Sequence, residues 1–279
     1  MVMRIAYVCT NFKNSTDTVA AVCSLRAGDA RDCPVFVVDN ASGGSHIQLL
    51  RELANHDERV EVLELPENVG YFRGLNIGLA KMRESYPDID VVVAGNNDLL
   101  FPADFICSIR AISDRFKSYA VVSPDIVTTE GQHQNPHVIS GISTVREIMY
   151  DLFHSSYVFA TAMTLMTSLF GRFVRRGDED QHGTGMEISQ GHGSCYLLGP
   201  RFFSDFGELW APTFLYGEEF FLSLQLERQG QRVFYEPAVQ VTHVWHASVA
   251  TLPNRRRWEL ARTAHRIYRE HNPIWKARA

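Results

Sequence analysis

The run from Asp90 to Pro102, DVVVAGNNDLLFP, stops abruptly: an apolar segment gives way to two amides and one carboxylate, Asn96, Asn97 and Asp98. A stretch as apolar as Ile89–Ala94 belongs in the middle of a sheet covered on both faces, because a half-exposed strand would alternate apolar and polar residues. Sheets of that kind are the open α/β sheets, which bind ligands at the carboxyl ends of their strands. Asp98 stands at such an end. The same transition recurs in PVFVVDNASGGS, where Pro34–Val38 passes into Asp39, Asn40 and a Ser/Gly-rich turn. Two acidic strand ends in one sheet make a polar crevice suited to a metal ion and a phosphorylated ligand.

The first half of the chain keeps this rhythm. Strands are predicted near Arg4–Cys9, Pro34–Val38, Val60–Leu65, Ile89–Ala94 and Ala120–Val122, with helices near Thr16–Arg26, His46–Asn55, Gly70–Arg83 and Ala103–Phe116. Such alternation is that of βαβ units on a mainly parallel sheet. Ser15 and Ser45 suit N-cap positions, and Pro102 suits a first helical turn. A chain of 279 residues holds one large α/β domain, or one with a helical subdomain, and two independent domains would fit tightly.

A formal charge of −5 gives no global reason to expect nucleic acid as a partner. The 5 cysteines are odd in number and form no CxxC pair, so they read as reduced, mostly core thiols of a cytosolic protein. MVMRIAYVCT runs straight into a strand pattern without the apolar core and cleavage site of a signal peptide, so secretion is not expected.

Beyond Val127 the alternation fades. Tyr157–Phe173 is apolar but short and rich in Thr and Ser, whereas a membrane span takes ~20 predominantly apolar residues, so it is expected to be a buried helix of a subdomain. GDEDQHGTGMEISQGHGS, Gly177–Ser194, reads as a flexible loop, either a lid or plain surface. Glu218 and Glu219 open an amphipathic helical pattern that Gly230 ends; the helix dipole stabilises carboxylates there, which makes capping the plain alternative to chemistry. Adjacent helical residues point roughly a hundred degrees apart, so at most one of the pair faces a given crevice atom. PAVQVTHVWHAS places His243 and His246 in a strand-like setting. A lone histidine there is more often structural than a ligand, and a metal role for His243 requires that it converge with Asp98.

Taken together, VCTN at the first strand end, VVDNAS, ENVGYFRGLNIGLA, AGNNDLL, and LYGEEFFLSLQLERQG followed by EPAVQVTHVWHAS stand in an order that resembles the inverting family 2 glycosyltransferases of the GT-A fold, in the branch with rhamnosyltransferase-like bacterial enzymes. The resemblance covers roughly Ile5 to Ser248. It implies a GT-A domain over 1–250, with a nucleotide-binding half at 1–126, a variable helical or lid segment at 127–193 and an acceptor half at 194–250, followed by a basic helix at 251–279.

The chemistry it implies is inverting transfer of a sugar from a UDP- or dTDP-sugar to a hydroxyl of a saccharide or lipid-linked acceptor, in bacterial surface polysaccharide synthesis. Thr10, Asn11, Asp39 and Asn40 are implied to contact the nucleotide, with Arg73, Gly74 and Asn76 packing beneath it or reaching it. NND stands where the family carries DxD, so Asn96 and Asn97 replace the usual first acid and Asp98 carries the metal role, with His243 completing the shell of Mn²⁺ or Mg²⁺. YGEE aligns with the family's E-D pair, which makes Glu219 the expected base and Glu218 its support, with Glu218 as the alternative base. The replacement of Asp by Glu at that place, together with NND, leaves a rival: a catalytically weak or inactive sugar-nucleotide-binding protein of the same fold. A nicotinamide-dependent oxidoreductase would need GxGxxG after the first strand, which CTNFKNST lacks.

The tail differs in character. Pro253–Ala279 has seven Arg and one Lys against two Glu, 8 − 2 = +6, which leaves −5 − 6 = −11 for the remainder. Helical spacing sets Leu260, Ala264, Ile267, Tyr268, His271 and Ile274 against Arg255, Arg262, Arg266 and Arg269. Two readings stand equal: peripheral contact of residues 255–275 with an anionic membrane, or a helix docked on the acidic body.

Overall fold

A computed structural model describes residues 2–170, 178–244 and 254–274; His246 and the end of the apolar run at 171–173 lie outside them. The amino-terminal half is a parallel sheet in the order β3-β2-β1-β4, built from β1 (Ile5–Asn11), β2 (Val35–Asp39), β3 (Val60–Glu64) and β4 (Val91–Asn96). The crossings run through α1 (Ser15–Ala27), α2 (Gly44–His56) and α3 (Tyr71–Ser85). The unbroken apolar runs have the expected cause. Ile5, Tyr7, Cys9, Val35, Val37, Val91 and Val93 face Val22, Leu25 and Leu50 of α1 and α2, while Ala6, Val8, Phe36, Val92 and Ala94 face Phe72, Leu75 and Leu79 of α3. Successive strand residues alternate between two covered faces, so none needs to be polar. Close seating of α3 on β1 requires Gly78, where a Cβ would fall 2.5 Å from Val8 Cγ1.

The second half continues the sheet with mixed direction. β8 (Cys195–Leu198) lies antiparallel between β4 and β6 (Val121–Thr128), β6 pairs parallel with β9 (Val233–His243), and β5 (Leu99–Leu100) closes on β9. In place of one helix over 103–116 there are two, α4 (Phe105–Ala111) and α5 (Arg115–Ser118). The stretch Gly177–Ser194, insofar as it is described, is not an open loop: β7 (Met186–Ile188) pairs with β9, and Ser189 and Gln190 are buried. A three-residue edge strand is too short to show a period in sequence.

The helices α8 (Pro200–Asp205) and α9 (Glu218–Glu227) cover the sheet from the far side of β8. α6 (Thr144–Ser155) and α7 (Tyr157–Phe170) form a hairpin, on which α10 (Asn254–His271) packs. α10 spends its apolar face on the body: Ala264 and Tyr268 are buried, and the Tyr268 ring stands 4.9 Å from Phe220. Arg269 turns inward too, 2.6 Å from Glu147 and 2.6 Å from Asp151. Of the two readings of this helix, docking on the acidic body is the one its packing displays. The expectation for α7 fails, because it is not a buried helix: among its described side chains only Ala160 is buried, and Val158 and Leu165 are 77% and 59% exposed. Apolar composition can demand a cover without providing one; among the described helices α7 packs chiefly on α6, with Trp258 of α10 meeting Tyr157 at its start.

Candidate active site

The strand ends converge as the sheet topology dictates. Leu99 pairs with His243 across β5 and β9, and the Val244 amide donates to the Asp98 carbonyl at 2.9 Å, so the end of β9 is fastened beside the end of β4. His243 Nε2 lies 3.3 Å from Asp98 Oδ1 and 3.3 Å from Asn96 Nδ2. On the other side of the ring, Nδ1 lies 2.8 Å from Gln134 Oε1. A carboxamide oxygen only accepts, so Nδ1 carries a hydrogen, and Nε2 is the ring nitrogen turned toward Asp98. Asp98 Oδ1 is buried and has no hydrogen-bond partner. Two electron-pair donors at that distance, one of them orphaned, suit a shared cation. Imidazole nitrogen and carboxylate oxygen are both ligands of Mn²⁺ and Mg²⁺-type ions, so these residues fit the divalent ion that the sequence implies. No group of three or more His, Cys, Asp or Glu that could hold a metal ion occurs among the described residues, so an ion held by these two would need phosphate oxygens or water to complete its shell.

The two amides of NND part company. Asn96 faces His243, whereas Asn97 is buried and donates to Thr18 Oγ1 at 2.7 Å and Asn11 Oδ1 at 3.1 Å. Asn11 itself, fully buried, donates to Asp39 Oδ1 at 2.7 Å and accepts from Thr18 Oγ1 at 2.9 Å. Asp39 Oδ2 accepts from the Ser42 amide at 3.0 Å. Asn11, Asp39 and Asn97 therefore form a satisfied polar network behind the crevice wall, with half-buried Thr10 in front of it. Asn40 holds the turn before α3, donating to the Gly70 carbonyl and accepting from Val69 N. Gly74 lies against both, where a Cβ would fall 2.7 Å from Thr10 Cγ2.

Two residues of α3 hold the 209–212 segment. Asn76 clamps the backbone of Leu209 from both sides, at 2.7 and 2.9 Å. Arg73 donates through Nε and Nη2 to the carbonyls of Ala211 and Pro212, so its fork is committed to the 209–212 segment instead of to a phosphate. Together they fix the chain that leads into Glu218 and Glu219.

Gly217, at φ +83°, turns the chain into α9 and directs its first two residues differently. Glu219 Oε1 accepts from Gly193 N at 3.1 Å, while the Gly193 carbonyl accepts from Tyr71 OH at 2.9 Å. Glu218 is buried; burial first, and the charge of Glu219 second, push its carboxyl up to about 8. Burial thus favours its protonated form, beside the half-buried Glu219.

Sequence reading missed the segment that joins the two centres. His192 stands edge-on to His243, ring centroids 5.8 Å apart, Gly193 holds Glu219, and the Ser194 carbonyl accepts from the Asn96 amide at 2.8 Å. A signal existed: GHGS precedes the apolar CYLL of β8, and an antiparallel strand begins where its parallel neighbour ends. The polar end of β8 is therefore its start. Gln134 and Tyr71 carried no sequence signal of comparable strength.

With this geometry in place, the comparisons are decisive for the family. The profile described as Glycosyl transferase family 2 matches residues 8–173. This chain belongs to glycosyl transferase family 2. Its fold is the GT-A fold, and the matched range ends short of Glu218, Glu219 and His243. Among solved structures, that of GalNAc-T7 with UDP, GalNAc and Mn²⁺ superposes with a TM-score of 0.66 at 12% identity, covering 96% of this chain and 48% of that one. The mannosyltransferase PcManGT from Pyrobaculum calidifontis, in complex with GDP-Man and Mn²⁺, gives 0.58 at 15%, covering 99% and 65%. Staphylococcus aureus TarS 1-349 gives 0.56 at 12%, covering 87% and 60%. The chain spans between about half and two thirds of the length of these proteins, and at such identities the likeness is one of fold. No curated protein matches.

Proposed function

We propose that this family 2 glycosyltransferase is a metal-dependent, inverting enzyme that moves a sugar from UDP- or dTDP-sugar to a hydroxyl of a saccharide or lipid-linked acceptor, in the assembly of surface polysaccharide. The observation that carries the reading is the buried Asp98 Oδ1, which has no hydrogen-bond partner and faces His243 Nε2 at 3.3 Å. That the solved neighbours hold UDP, GDP-Man and Mn²⁺ supports it.

In this mechanism Asp98 and His243 would hold the divalent ion, which would supply charge neutralisation for the leaving group. Gln134 keeps the His243 tautomer that offers Nε2. The donor's nucleotide lies along Thr10, with the Asn11–Asp39 network and Asn40 as its wall. Glu219 takes the proton of the acceptor hydroxyl as its oxygen bonds to the anomeric carbon and the bond to the diphosphate breaks. Glu218, whose carboxyl burial pushes up, supports the pair from its buried side.

The test is release of UDP or dTDP from a panel of sugar nucleotides with Mn²⁺, for the native chain and for Glu219→Gln. Turnover in the variant is expected to fall by ~10²–10⁴-fold with donor affinity unchanged. Binding of a sugar nucleotide with no hydrolysis or transfer above background in the native chain would favour the non-catalytic binder instead.

A further inference from the structure

The hairpin of α6 and α7 presents apolar side chains that stand exposed among the described residues. On α6, Val145, Ile148, Met149 and Leu152 follow helical spacing on one stripe and are exposed, Val145 to 70%. The opposite face of α6 is already engaged, through Glu147, Asp151 and His154 with Arg269 and His265 of α10. α7 continues the surface with Val158, Phe159, Leu165 and Met166, and from 157 to 170 it contains no charged side chain. Contiguous exposed apolar area of this kind marks an interaction site. At ~1.5 Å per residue, α7 is about 21 Å long, short of the ~30 Å core of a bilayer, and no described helix is long and apolar enough to cross a membrane.

Charge decides what covers it. α10 meets the hairpin at its corner: Trp258 Nε1 donates to the Phe153 carbonyl at 3.1 Å, and its ring lies 5.6 Å from Tyr157. Arg262 sits over the Trp258 ring at 5.2 Å, and Arg255, Arg256, Arg262 and Arg266 are exposed along the same helix. An apolar face edged by arginines matches the acyl boundary and headgroups of an anionic bilayer. A second copy of the chain matches it poorly, since a two-fold contact through this face would bring one arginine edge toward the other.

We infer that the α6–α7 hairpin lies in the surface of an anionic membrane, apolar stripes toward the acyl boundary, with the arginines of α10 on the headgroups. The apolar element of membrane contact is thus the hairpin, because the apolar face of α10 is spent on Phe220 and its neighbours. By its other side the hairpin abuts the acceptor side of the crevice: Tyr150, off the exposed stripe of α6, stands 6.1 Å from Phe220, which follows Glu219 in α9. On the functional reading above, this places a lipid-linked acceptor at the base; the docking itself does not depend on that reading.

Co-sedimentation of the full chain with vesicles of phosphatidylglycerol mixed with phosphatidylcholine, and of phosphatidylcholine alone, tests the inference without any assay of transfer. The native chain should sediment with the anionic vesicles and at least ~10-fold more weakly with the zwitterionic ones. Val158→Asp combined with Leu165→Asp, at positions too exposed to affect folding, should lose at least ~10-fold in vesicle binding with an unchanged melting temperature. Arg262→Gln and Arg266→Gln should each weaken binding about fivefold. Absence of native binding, or variants that bind like the native chain, would overturn it. So would a dimer in solution that Val158→Asp dissociates, since a second copy would then be the cover.

Discussion

Gly193 donates its amide to Glu219 Oε1 at 3.1 Å, and a Cβ on Gly193 would fall 2.7 Å from that same oxygen. The carboxylate proposed as base is therefore positioned by a residue that has no side chain, on a segment that also touches the metal-side residues Asn96 and His243.

Gly193→Ala should move the Glu219 carboxylate without removing it. A misplacement of ~1 Å at a reacting group costs on the order of 10²-fold in rate, so kcat should fall by about that factor while donor KM stays within about twofold. Steady-state kinetics of the variant decide it, and an unchanged kcat would separate Glu219 from the chemistry.

Asp98→Asn retains volume but replaces the orphaned carboxylate oxygen with an amide group. UDP with Mn²⁺ at a hundredfold excess over Kd should stabilise the native chain by ~2.7 kcal/mol, and the metal-dependent part should vanish in Asp98→Asn and in His243→Ala. Thermal melting with UDP, with and without Mn²⁺, reads this directly; a full metal response in either variant would remove that residue from the ion's shell.

Glu218 gives the stability a defined pH dependence. Its carboxyl rises from 4.5 in the unfolded chain to about 8 in the folded one, by burial and then by the charge of Glu219. Below about 4.5 both states are protonated and the contribution is fully present; between 4.5 and about 8 the unfolded state alone ionises, so stability is lost as pH rises through that window. The slope is up to ~1.4 kcal/mol per pH unit for this one group. Denaturation midpoints measured from pH 5 to 9 should fall less steeply in Glu218→Gln than in the native chain, and parallel profiles would contradict the assignment.

Asn11→Ala should destabilise the fold by about 3 kcal/mol, because it deprives buried Thr18, Asp39 and Asn97 of partners at one stroke. Urea denaturation measures it. A loss below ~1 kcal/mol would mean that water replaces the amide and that the wall of the crevice is open.

Much of the parallel half was legible because its strands are apolar on both faces and its helices are short and regular. Val91–Ala94 is buried without exception, as its composition required, and Asp98 stands where that run breaks. Arg73 and Asn76 were legible as polar residues of a helix start but not as clamps on 209–212, since their partners lie more than a hundred residues away. The docked state of α10 and the exposed state of α7 were likewise beyond periodicity. An amphipathic pattern shows that a helix has an apolar face and is silent about what meets it.

The local order of apolar and polar residues thus determined the β-α alternation, the sheet's two covered faces and the strand ends at Asp39 and Asp98, because these follow from side-chain period and burial alone. Tertiary structure decided which polar ends share a site. It set His243 beside Asp98 through the antiparallel pairing of β5 with β9, brought Gly193 to Glu219 through β8, and separated Asn96 from Asn97 across the crevice wall. It also set the unequal burial that raises the carboxyl of Glu218, since desolvation depends on what packs around a carboxyl and not on its place in the chain.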